Sequence, residues 1–236
     1  MREERTIVVD GISRTVVISD EREALLAADA AGRASVAVWN GDREEFLPSA
    51  FAVEDPADAD GEFLERVVRR KLGLPWTIRE TGRLLIREFG EEDSEQVPRE
   101  ECLGPGDEVF ADREKLRAYI RCQYGISQYG IWAAVEKKSG RLVGKIGFAP
   151  PEDGREGLEL GYHIFRPWRR MGYGLEGCQA ALAWEEKELT LPVYVRIRKD
   201  NLASLRLAEK LGFSGKKEEN GYFYLFWPPK EEKIEK

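Results

Sequence analysis

The stretch F-R-P-W-R-R-M-G-Y-G-L-E-G, residues 165–177, constrains the fold more than any other part of the chain. It joins a strand-like pattern at residues 157–165 to an apolar helical pattern, and its three glycines spell G-x-G-x-x-G. The first two of these glycines also follow an arginine in the spacing R-x-x-G-x-G. Both motifs are typical of phosphate-binding loops, because glycines allow close backbone approach and free N–H groups cluster at a helix N-terminus.

The surroundings of this loop argue against a dinucleotide-binding site. A dinucleotide fingerprint follows its strand directly, whereas Arg166 to Arg170 stand between the strand and Gly172. Asp200 lies where a ribose-binding acid would be expected, but only about sixty residues follow the loop, too few for a doubly wound domain. No G-K-[ST] follows either, so a Walker loop is excluded. The R-x-x-G-x-G motif explains more residues, as a pyrophosphate-binding loop of the kind that coenzyme A requires.

The pattern from Arg83 onward predicts antiparallel strands with helices between them. Gly73 and Pro75 end the preceding helix, so we place a domain boundary near Gly82. Ser139 and Gly140 form a hairpin turn between two strands. The predicted elements are strand 83–89, helix 112–123, hairpin 129–150, strand 157–165, helix 175–188, strand 192–198, helix 201–212 and strand 222–227.

Residues 83–228 resemble a GNAT acetyltransferase, in particular the ribosomal-protein-alanine acetyltransferase-like branch that acetylates protein N-terminal amines. The resemblance lies in the ordered segments LLIREFGEEDSEQV, LELGYHIFRPWRRMGYGLEG and NLASLRLAEKLGF. It implies the α/β GNAT fold, a mixed and mostly antiparallel sheet with flanking helices, over residues 81–230. It also implies acetyl-CoA as the cofactor and no metal.

The resemblance carries over to particular cofactor-binding residues. The central strand, residues 158–163, would pair its backbone with the pantetheine amides and separate from the strand of Val193 to admit the cofactor. Asn201 would contact the pantetheine arm or cap its own helix, two roles that can coexist, and Ser204 lies one turn further on. The residues expected to bind the pyrophosphate are Arg169, Arg170, Met171, Gly172, Tyr173 and Gly174.

The catalytic residues are less clearly marked. Acetyl transfer to an amine needs a base, and the resemblance implies Glu159, which lies on the central strand where relatives often place a carboxylate near the acceptor amine. The alternative is a charge on the exposed face of a strand. Many relatives place a tyrosine acid for the leaving thiolate in the helix after the Asn, and that position is Ala208. Tyr222, Tyr224, Ser204 or water would then have to protonate the thiolate.

The first 80 residues read as a small parallel β/α domain of Rossmann-like type. Residues 13–72 resemble the later half of a HAD-type phosphohydrolase, with a strand, Asp20, a helix and a further strand. No D-x-D nucleophile precedes them, and Ala24 stands where the family has a second acid, D-x-x-x-D. The resemblance therefore implies a degenerate, inactive module for binding, dimerisation or regulation, and an unrelated β/α half-domain is the alternative.

Composition narrows the class of protein further. A net charge of −7 argues against general nucleic-acid binding. The three cysteines lack C-x-x-C spacing, and His163 is the single histidine, so the sequence indicates neither a disulfide framework nor a zinc site. No apolar run approaches the roughly 18 residues of a membrane span, and the start has no signal-peptide pattern. We therefore expect a cytoplasmic N-acetyltransferase acting on a primary amine of a small molecule or peptide, with a charged tail at 231–236. The alternative is a coenzyme A-binding sensor or scaffold without turnover.

Overall fold

The computed structural model describes residues 2–39, 41, 46–102, 106–151 and 154–227. The chain divides into two compact units between Trp76 and Thr77. The predicted tail at 231–236 lies outside the described residues. Within the described residues, no helix combines the length and apolarity needed to cross a membrane.

The first unit is a four-stranded sheet with a helix on each face. Its elements are β1 Arg2–Val9, β2 Ile12–Ser19, α1 Arg22–Ala30, β3 Ala34–Val38, β4 Ala52–Val53 and α2 Gly61–Lys71. The expected parallel pairing is found between β2 and β3 and between β3 and β4. Leu25 of α1 packs with Ala37, whereas Leu64 of α2 packs with Val36, so the two helices cover opposite faces.

The sheet of this unit is not purely parallel, because β1 pairs antiparallel with β2. The sequence reading missed β1, whose segment REERTIVV has alternating exposed and half-buried residues and looks like a charged surface segment. Asp10 and Gly11 link the two strands with φ of 49° and 78°. This Asp-Gly pair in left-handed conformation is a hairpin signal that was available in the sequence.

The second unit contains an eight-stranded sheet in the order β11-β12-β10-β9-β8-β7-β6-β5. Its strands are β5 Thr77–Glu80, β6 Leu84–Arg87, β7 Ile131–Glu136, β8 Leu142–Ala149, β9 Leu158–Ile164, β10 Val193–Arg198, β11 Ser214–Glu219 and β12 Tyr222–Phe226. Its helices are α3 Arg113–Tyr119, which continues as a π-helix over Ile120–Ser127, α4 Tyr173–Glu188 and α5 Leu202–Leu211. Short 3-10 helices occupy Glu91–Glu95, Arg99–Glu101, Asp107–Ala111 and Arg166–Trp168. The prediction of a mixed, mostly antiparallel sheet with flanking helices is confirmed, since only β9 and β10 pair in parallel.

Two strands of this sheet were not predicted. Strand β5 pairs with β6, so the boundary between the units lies before Thr77 and not near Gly82. Strand β11 pairs with β12 through a turn at Asn220 and Gly221, whose φ values are 49° and 84°. Both are edge strands, and the residues of β11 are all exposed, so they lack the apolar alternation that predicts strands.

The feature that matters most for function is the separation of β9 from β10. Only two residue pairs join these strands, Leu158 with Val193 and Glu159 with Tyr194, although β9 has seven residues and β10 has six. Beyond these two pairs the strands diverge and leave a wedge-shaped gap in the centre of the sheet. The predicted separation of the central strand from the strand of Val193 is thus found in the structure.

Helices cover both faces of the sheet around this gap. Ile146 of β8 meets Gly177 of α4, where a Cβ on the glycine would lie 2.2 Å from Ile146 Cδ1. The neighbouring Lys145 lies over Phe110 in the Asp107–Ala111 turn, with its Nζ 4.5 Å from the ring centroid. Adjacent strand residues point to opposite faces, so α4 and this turn lie on opposite sides of the sheet. The third glycine of the G-x-G-x-x-G pattern therefore serves helix packing.

Candidate active site

A cavity of about 700 Å³ lies between the end of β9, the loop before α4 and helix α5. We call the loop formed by residues 169–174 the phosphate loop, after the ligand that its sequence predicts. Every predicted cofactor-binding residue lines this cavity except Met171, whose side chain is exposed to solvent. Its lining residues are Tyr162, His163, Ile164, Trp168, Arg169, Arg170, Gly172, Tyr173, Gly174, Leu175, Asn201, Ala203, Ser204, Arg206, Leu207 and Lys210.

The backbone of the phosphate loop is arranged to attract an anion. Arg170 and Gly172 have left-handed φ values of 65° and 86°, and Gly172 is followed directly by the α-helical Tyr173. This alternation makes consecutive N–H groups converge, as in anion-binding nests. Gly172 provides no side-chain cap, and the first backbone bond of the helix is donated by Glu176 to the Gly172 carbonyl at 3.1 Å. The N–H groups at the beginning of α4 are thus left for a ligand, at the positive end of the helix dipole.

The side chain of Arg169, a residue predicted to bind the pyrophosphate, is held by other protein groups. Its Nη2 lies 2.7 Å from Oε2 of Glu101, and its Nε donates to the Ile164 carbonyl at 2.7 Å. The same carboxylate accepts a hydrogen bond from the Arg166 N–H at 2.8 Å and lies 3.0 Å from His163 Nε2. In this arrangement the Arg169 side chain ties the start of the phosphate loop to Glu101 and to the end of β9. Its predicted role in pyrophosphate binding stays a prediction.

Glu101 keeps its charge in this network although it is buried. Burial would raise the pKa of its carboxyl, but the hydrogen bonds from the Arg166 N–H and His163, with the charge of Arg169, hold that pKa below its usual value. The sequence reading missed Glu101 because it lies in the 3-10 turn Arg99–Glu101, far from the loop in sequence.

Besides Arg169, three exposed cations line the cavity: Arg170, Arg206 and Lys210. None of the three side chains makes a hydrogen bond or ion pair with another residue in the described part of the chain. Arg206 and Lys210 are four residues apart on α5, so their side chains lie on the same face of the helix. They were not predicted, although a basic pair at this spacing after N-x-x-S is visible in the sequence.

Asn201 and Ser204 lie where α5 begins, and Tyr162 of β9 lies beside them. The Asn201 side chain accepts a hydrogen bond from the Ser204 N–H at 3.1 Å, so its predicted capping role is confirmed. The Tyr162 hydroxyl donates to the Ser204 carbonyl at 3.2 Å. Burial raises the pKa of Tyr162 to about 12, so its hydroxyl remains a proton donor at neutral pH.

A second cavity, of about 240 Å³, continues from the first through the gap between β9 and β10. Tyr162, Asn201 and Ser204 line both cavities. Its other lining residues are Glu159, Leu160, Gly161, Val195, Arg196, Ile197, Arg198 and Tyr222. Because these residues come from both strands, the cavity lies in the gap between β9 and β10, and we call it the passage.

The predicted base Glu159 lines this passage. One of its carboxylate oxygens lies 3.3 Å from Arg196 Nε, and the Tyr194 hydroxyl lies 3.5 Å from the same oxygen. About a fifth of the Glu159 side chain is exposed, so it remains accessible. Its role as a base stays a prediction.

The candidates for the proton donor fall into different environments. Ala208 is fully buried and has no polar group to offer. Ser204 and Tyr222 line the passage, whereas Tyr224 is buried under the guanidinium of Arg155, whose Cζ lies 4.0 Å from its ring centroid. The geometry therefore adds Tyr162, which the sequence reading did not consider, and removes Tyr224 from contact with the cavity.

Comparison with known proteins agrees with this fold. The family model described as Acetyltransferase (GNAT) domain matches residues 83–214, more than half of the chain. The chain therefore belongs to the GNAT acetyltransferase family, whose class of reaction is acetyl transfer. A Bacillus subtilis protein named uncharacterized N-acetyltransferase YjdG is 29% identical to this chain over 110 residues. The aligned residues span 46% of this chain and 66% of the Bacillus protein, which is slightly under two thirds of that protein's length.

Solved structures share the fold at lower identity. A putative GNAT-family acetyltransferase from Bordetella pertussis superimposes with a TM-score of 0.52 at 22% identity, over 63% of this chain and 96% of that one. A ribosomal-protein-S5-alanine acetyltransferase from Vibrio fischeri gives a TM-score of 0.55 at 13% identity, over 67% of this chain and 98% of that one. At such identities these similarities concern the fold alone.

Proposed function

We propose that the protein is an acetyl-CoA-dependent N-acetyltransferase in which a primary amine attacks the thioester directly. The observation that carries this proposal is the pair of adjoining cavities, one at the phosphate loop and one in the gap between β9 and β10 that Glu159 lines. An extended thioester cofactor with an anionic end and a long neutral arm fits this arrangement. The anionic end would lie at the loop, and the reacting carbonyl would lie where the two cavities meet.

The cofactor phosphates would be bound by backbone and side chains together. The N–H groups at the beginning of α4 would bind the pyrophosphate, with Arg170 beside them. Arg206 and Lys210, on the α5 side of the cavity, would bind the remaining phosphate on the ribose. Arg169 would hold the loop through Glu101.

The pantetheine arm would run along the unpaired part of β9. The strand has free backbone groups there, because its pairing with β10 ends at Glu159. Asn201 and Ser204 border the same space and are the polar side chains proposed to contact the arm. Acetyl-CoA would thus be bound in part by backbone groups that a continuous sheet would have paired internally.

Glu159 is the proposed base for the acceptor amine. The amine must be neutral to attack, and a carboxylate at the acceptor side of the passage would take its proton directly or through water. As the tetrahedral intermediate collapses, the C–S bond breaks and the coenzyme A thiolate needs a proton. Tyr162 is well placed to supply it because its neutral hydroxyl borders both cavities, and Tyr222 and Ser204 are the other donors there.

For the acceptor, the cellular location and the assembly, we propose only general classes. We propose a primary amine of a small molecule or a peptide, in a cytoplasmic protein related to the ribosomal-protein-alanine branch, with a homodimer as the proposed assembly. The first unit is proposed to be a degenerate HAD-like module without catalysis. Asp20 directly follows β2, and Ala24, in place of a second acid, is buried on α1, which supports this view.

Release of free thiol from acetyl-CoA in the presence of a panel of primary amines tests the proposal. We expect amine-dependent release by the wild type and a roughly 10²- to 10⁴-fold slower rate for Glu159→Gln, with acetyl-CoA binding retained. Acetyl-CoA binding without turnover on any amine would support a sensor or scaffold instead. An unchanged rate in Glu159→Gln would remove that residue from the chemistry.

A further inference from the structure

The phosphate loop is held from one side by the hairpin of β5 and β6, through the side chain of Arg83. Its Nη1 donates a hydrogen bond to the Met171 carbonyl at 2.8 Å. Its Nε and Nη2 lie 2.7 and 2.6 Å from Oε2 of Glu176, in the first turn of α4. The guanidinium also lies over Tyr173, with Cζ 4.6 Å from the ring centroid. One side chain therefore contacts both the loop and the beginning of the helix that follows it.

Glu176 is itself fixed by the same hairpin. Its Oε1 accepts hydrogen bonds from the Thr81 hydroxyl at 2.6 Å and from the Arg83 N–H at 2.9 Å. Burial would raise the pKa of the Glu176 carboxyl, but the hydrogen bonds from Thr81 and Arg83 hold that pKa below its usual value. Both carboxylate oxygens are thus occupied, and the charged Glu176 holds the Arg83 guanidinium beside the loop.

The orientation of the peptide between Met171 and Gly172 decides whether the loop attracts or repels an anion. The C=O and N–H of a trans peptide point in opposite directions. Because Arg83 binds the Met171 carbonyl, the N–H of Gly172 is directed away from Arg83. Gly172 lines the large cavity, whereas Met171 and Arg83 do not. A flipped peptide would instead turn a carbonyl oxygen toward the phosphate.

Gly172 is also matched to Arg83 in space. A Cβ at this position would lie 3.1 Å from Arg83 Nη2, and the φ of 86° is strained for any other residue. The absence of a side chain thus lets the guanidinium approach the loop closely. This contact is independent of the one between Arg169 and Glu101, which holds the other end of the loop.

We infer that Arg83 is a positioning residue for cofactor binding: by holding the Met171 carbonyl, it presents the Gly172 N–H to the pyrophosphate of the cofactor. The inference rests on the proposed function, because that function assigns pyrophosphate to the loop. Arg83 acts through loop geometry and lies outside the lining of both cavities. Its loss should therefore weaken phosphate binding and leave the chemistry at the thioester unchanged.

Calorimetric titration with inorganic pyrophosphate tests this inference on the full chain. We expect Arg83→Gln to raise the Kd for pyrophosphate by about 10-fold or more, since hydrogen bonds made by charged groups contribute at that scale. Arg83→Lys keeps the charge but loses the forked geometry, so a smaller rise is expected. Arg79→Ala is the matched control, because Arg79 lies exposed on β5 of the same hairpin and should leave the Kd unchanged.

Kinetics separate positioning from a general structural role. In Arg83→Gln the KM for acetyl-CoA should rise in parallel with the Kd, while kcat changes by less than about twofold. Turnover of S-acetylpantetheine, which lacks the phosphates, should be the same as in the wild type, whereas a general structural defect would slow both substrates. If Arg83→Gln does not fold, Arg83→Lys with an unchanged Tm takes its place.

The outcomes distinguish this inference from the proposed function. If the wild type binds pyrophosphate and Arg83→Gln binds it equally well, the positioning role is overturned and the proposed function stands. If the wild type binds neither pyrophosphate nor acetyl-CoA, the proposed function is overturned and the inference falls with it. If Arg83→Gln binds pyrophosphate more weakly than the wild type and turns over S-acetylpantetheine at the same rate, both the positioning role of Arg83 and the proposed function are supported.

Discussion

Arg170, Arg206 and Lys210 place positive charge around one cavity of a chain whose net charge is −7. Elsewhere in the second unit, exposed cations such as Arg117 and Lys199 are paired with carboxylates. Cations without such partners, next to a free helix N-terminus, form a local site for an anion despite the acidic chain. At the residue scale, this cluster is the best guide to how the cofactor is oriented.

The cluster predicts discrimination between acetyl-CoA and its 3′-dephospho analogue. The wild type should bind acetyl-CoA about 10-fold more tightly, and Arg206→Ala with Lys210→Ala should remove most of this difference, because a charge-assisted contact to phosphate is lost. Competition binding of the two cofactors to both proteins measures it. If the double variant still binds acetyl-CoA about 10-fold more tightly than the 3′-dephospho analogue, the 3′-phosphate is bound by other residues.

Glu101 predicts a pH dependence of stability. Since its pKa is lower in the folded protein than in the unfolded chain, its contacts stabilise the fold above the usual carboxyl pKa, and this stabilisation is lost as the pH falls through the lowered value. Glu101→Gln should therefore reduce the free energy of unfolding at pH 7 by about 1–3 kcal/mol. Urea unfolding at several pH values should show the difference from the wild type shrinking below about pH 4. A difference that grows with acidity would contradict this assignment.

At the scale of elements, the site is formed by the beginnings of two helices and by two diverging strands. Helix α4 begins without a side-chain cap, whereas α5 is capped by Asn201. This contrast fits the roles proposed for the two helix starts. The N–H groups at the beginning of α4 would bind the cofactor pyrophosphate, whereas at the beginning of α5 the Asn201 side chain already accepts a hydrogen bond from the Ser204 N–H. Both helix starts meet the gap between β9 and β10.

The capping role of Asn201 can be separated from a role in cofactor binding. Asn201→Ala should lower the free energy of unfolding by about 1 kcal/mol, whereas Asn201→Ser should retain most of the stability, because serine also caps helices well. Urea unfolding measures both variants. If Asn201→Ser keeps the stability but weakens acetyl-CoA binding, the side chain also contacts the cofactor, and if the binding is unchanged, Asn201 is a cap only.

The sequence predicted the elements whose apolar pattern is strong and missed those whose pattern is weak. Helix α5 buries Leu205, Ala208 and Leu211 at helical spacing, and strands β7 and β8 are apolar runs that are buried almost throughout. Strands β1, β5 and β11 are edge strands with solvated faces, so their charged residues masked them. The turns Asp10-Gly11 and Asn220-Gly221 were the local signals that could have revealed two of the three.

The candidate site was predicted where it depends on neighbours in sequence and missed where it depends on neighbours in space. The phosphate loop and Asn201 belong to continuous motifs, and the structure brings them to one cavity. Glu101 and Arg83 lie 68 and 88 residues from the loop residues that they bind, so no local pattern marks them. For the same reason the ion pair between Arg169 and Glu101 was not predicted.

At the scale of the whole molecule, the family match lies entirely in the second unit, at residues 83–214. The sheet of that unit is interrupted at its centre, where β9 and β10 share only two residue pairs. A continuous sheet would be expected to be more stable, because unpaired backbone groups are costly when buried. We expect the cofactor to complete this hydrogen bonding, so bound acetyl-CoA should also raise the Tm of the protein.

The most direct test of cofactor binding at the phosphate loop and along β9 is a backbone ¹H–¹⁵N titration of the full chain with coenzyme A. We expect large amide shifts at residues 170–175 and along β9 at residues 160–163, with β2 and β3 of the first unit unchanged. Shifts confined to the first unit, or no shifts at the phosphate loop at saturating coenzyme A, would contradict the proposed site.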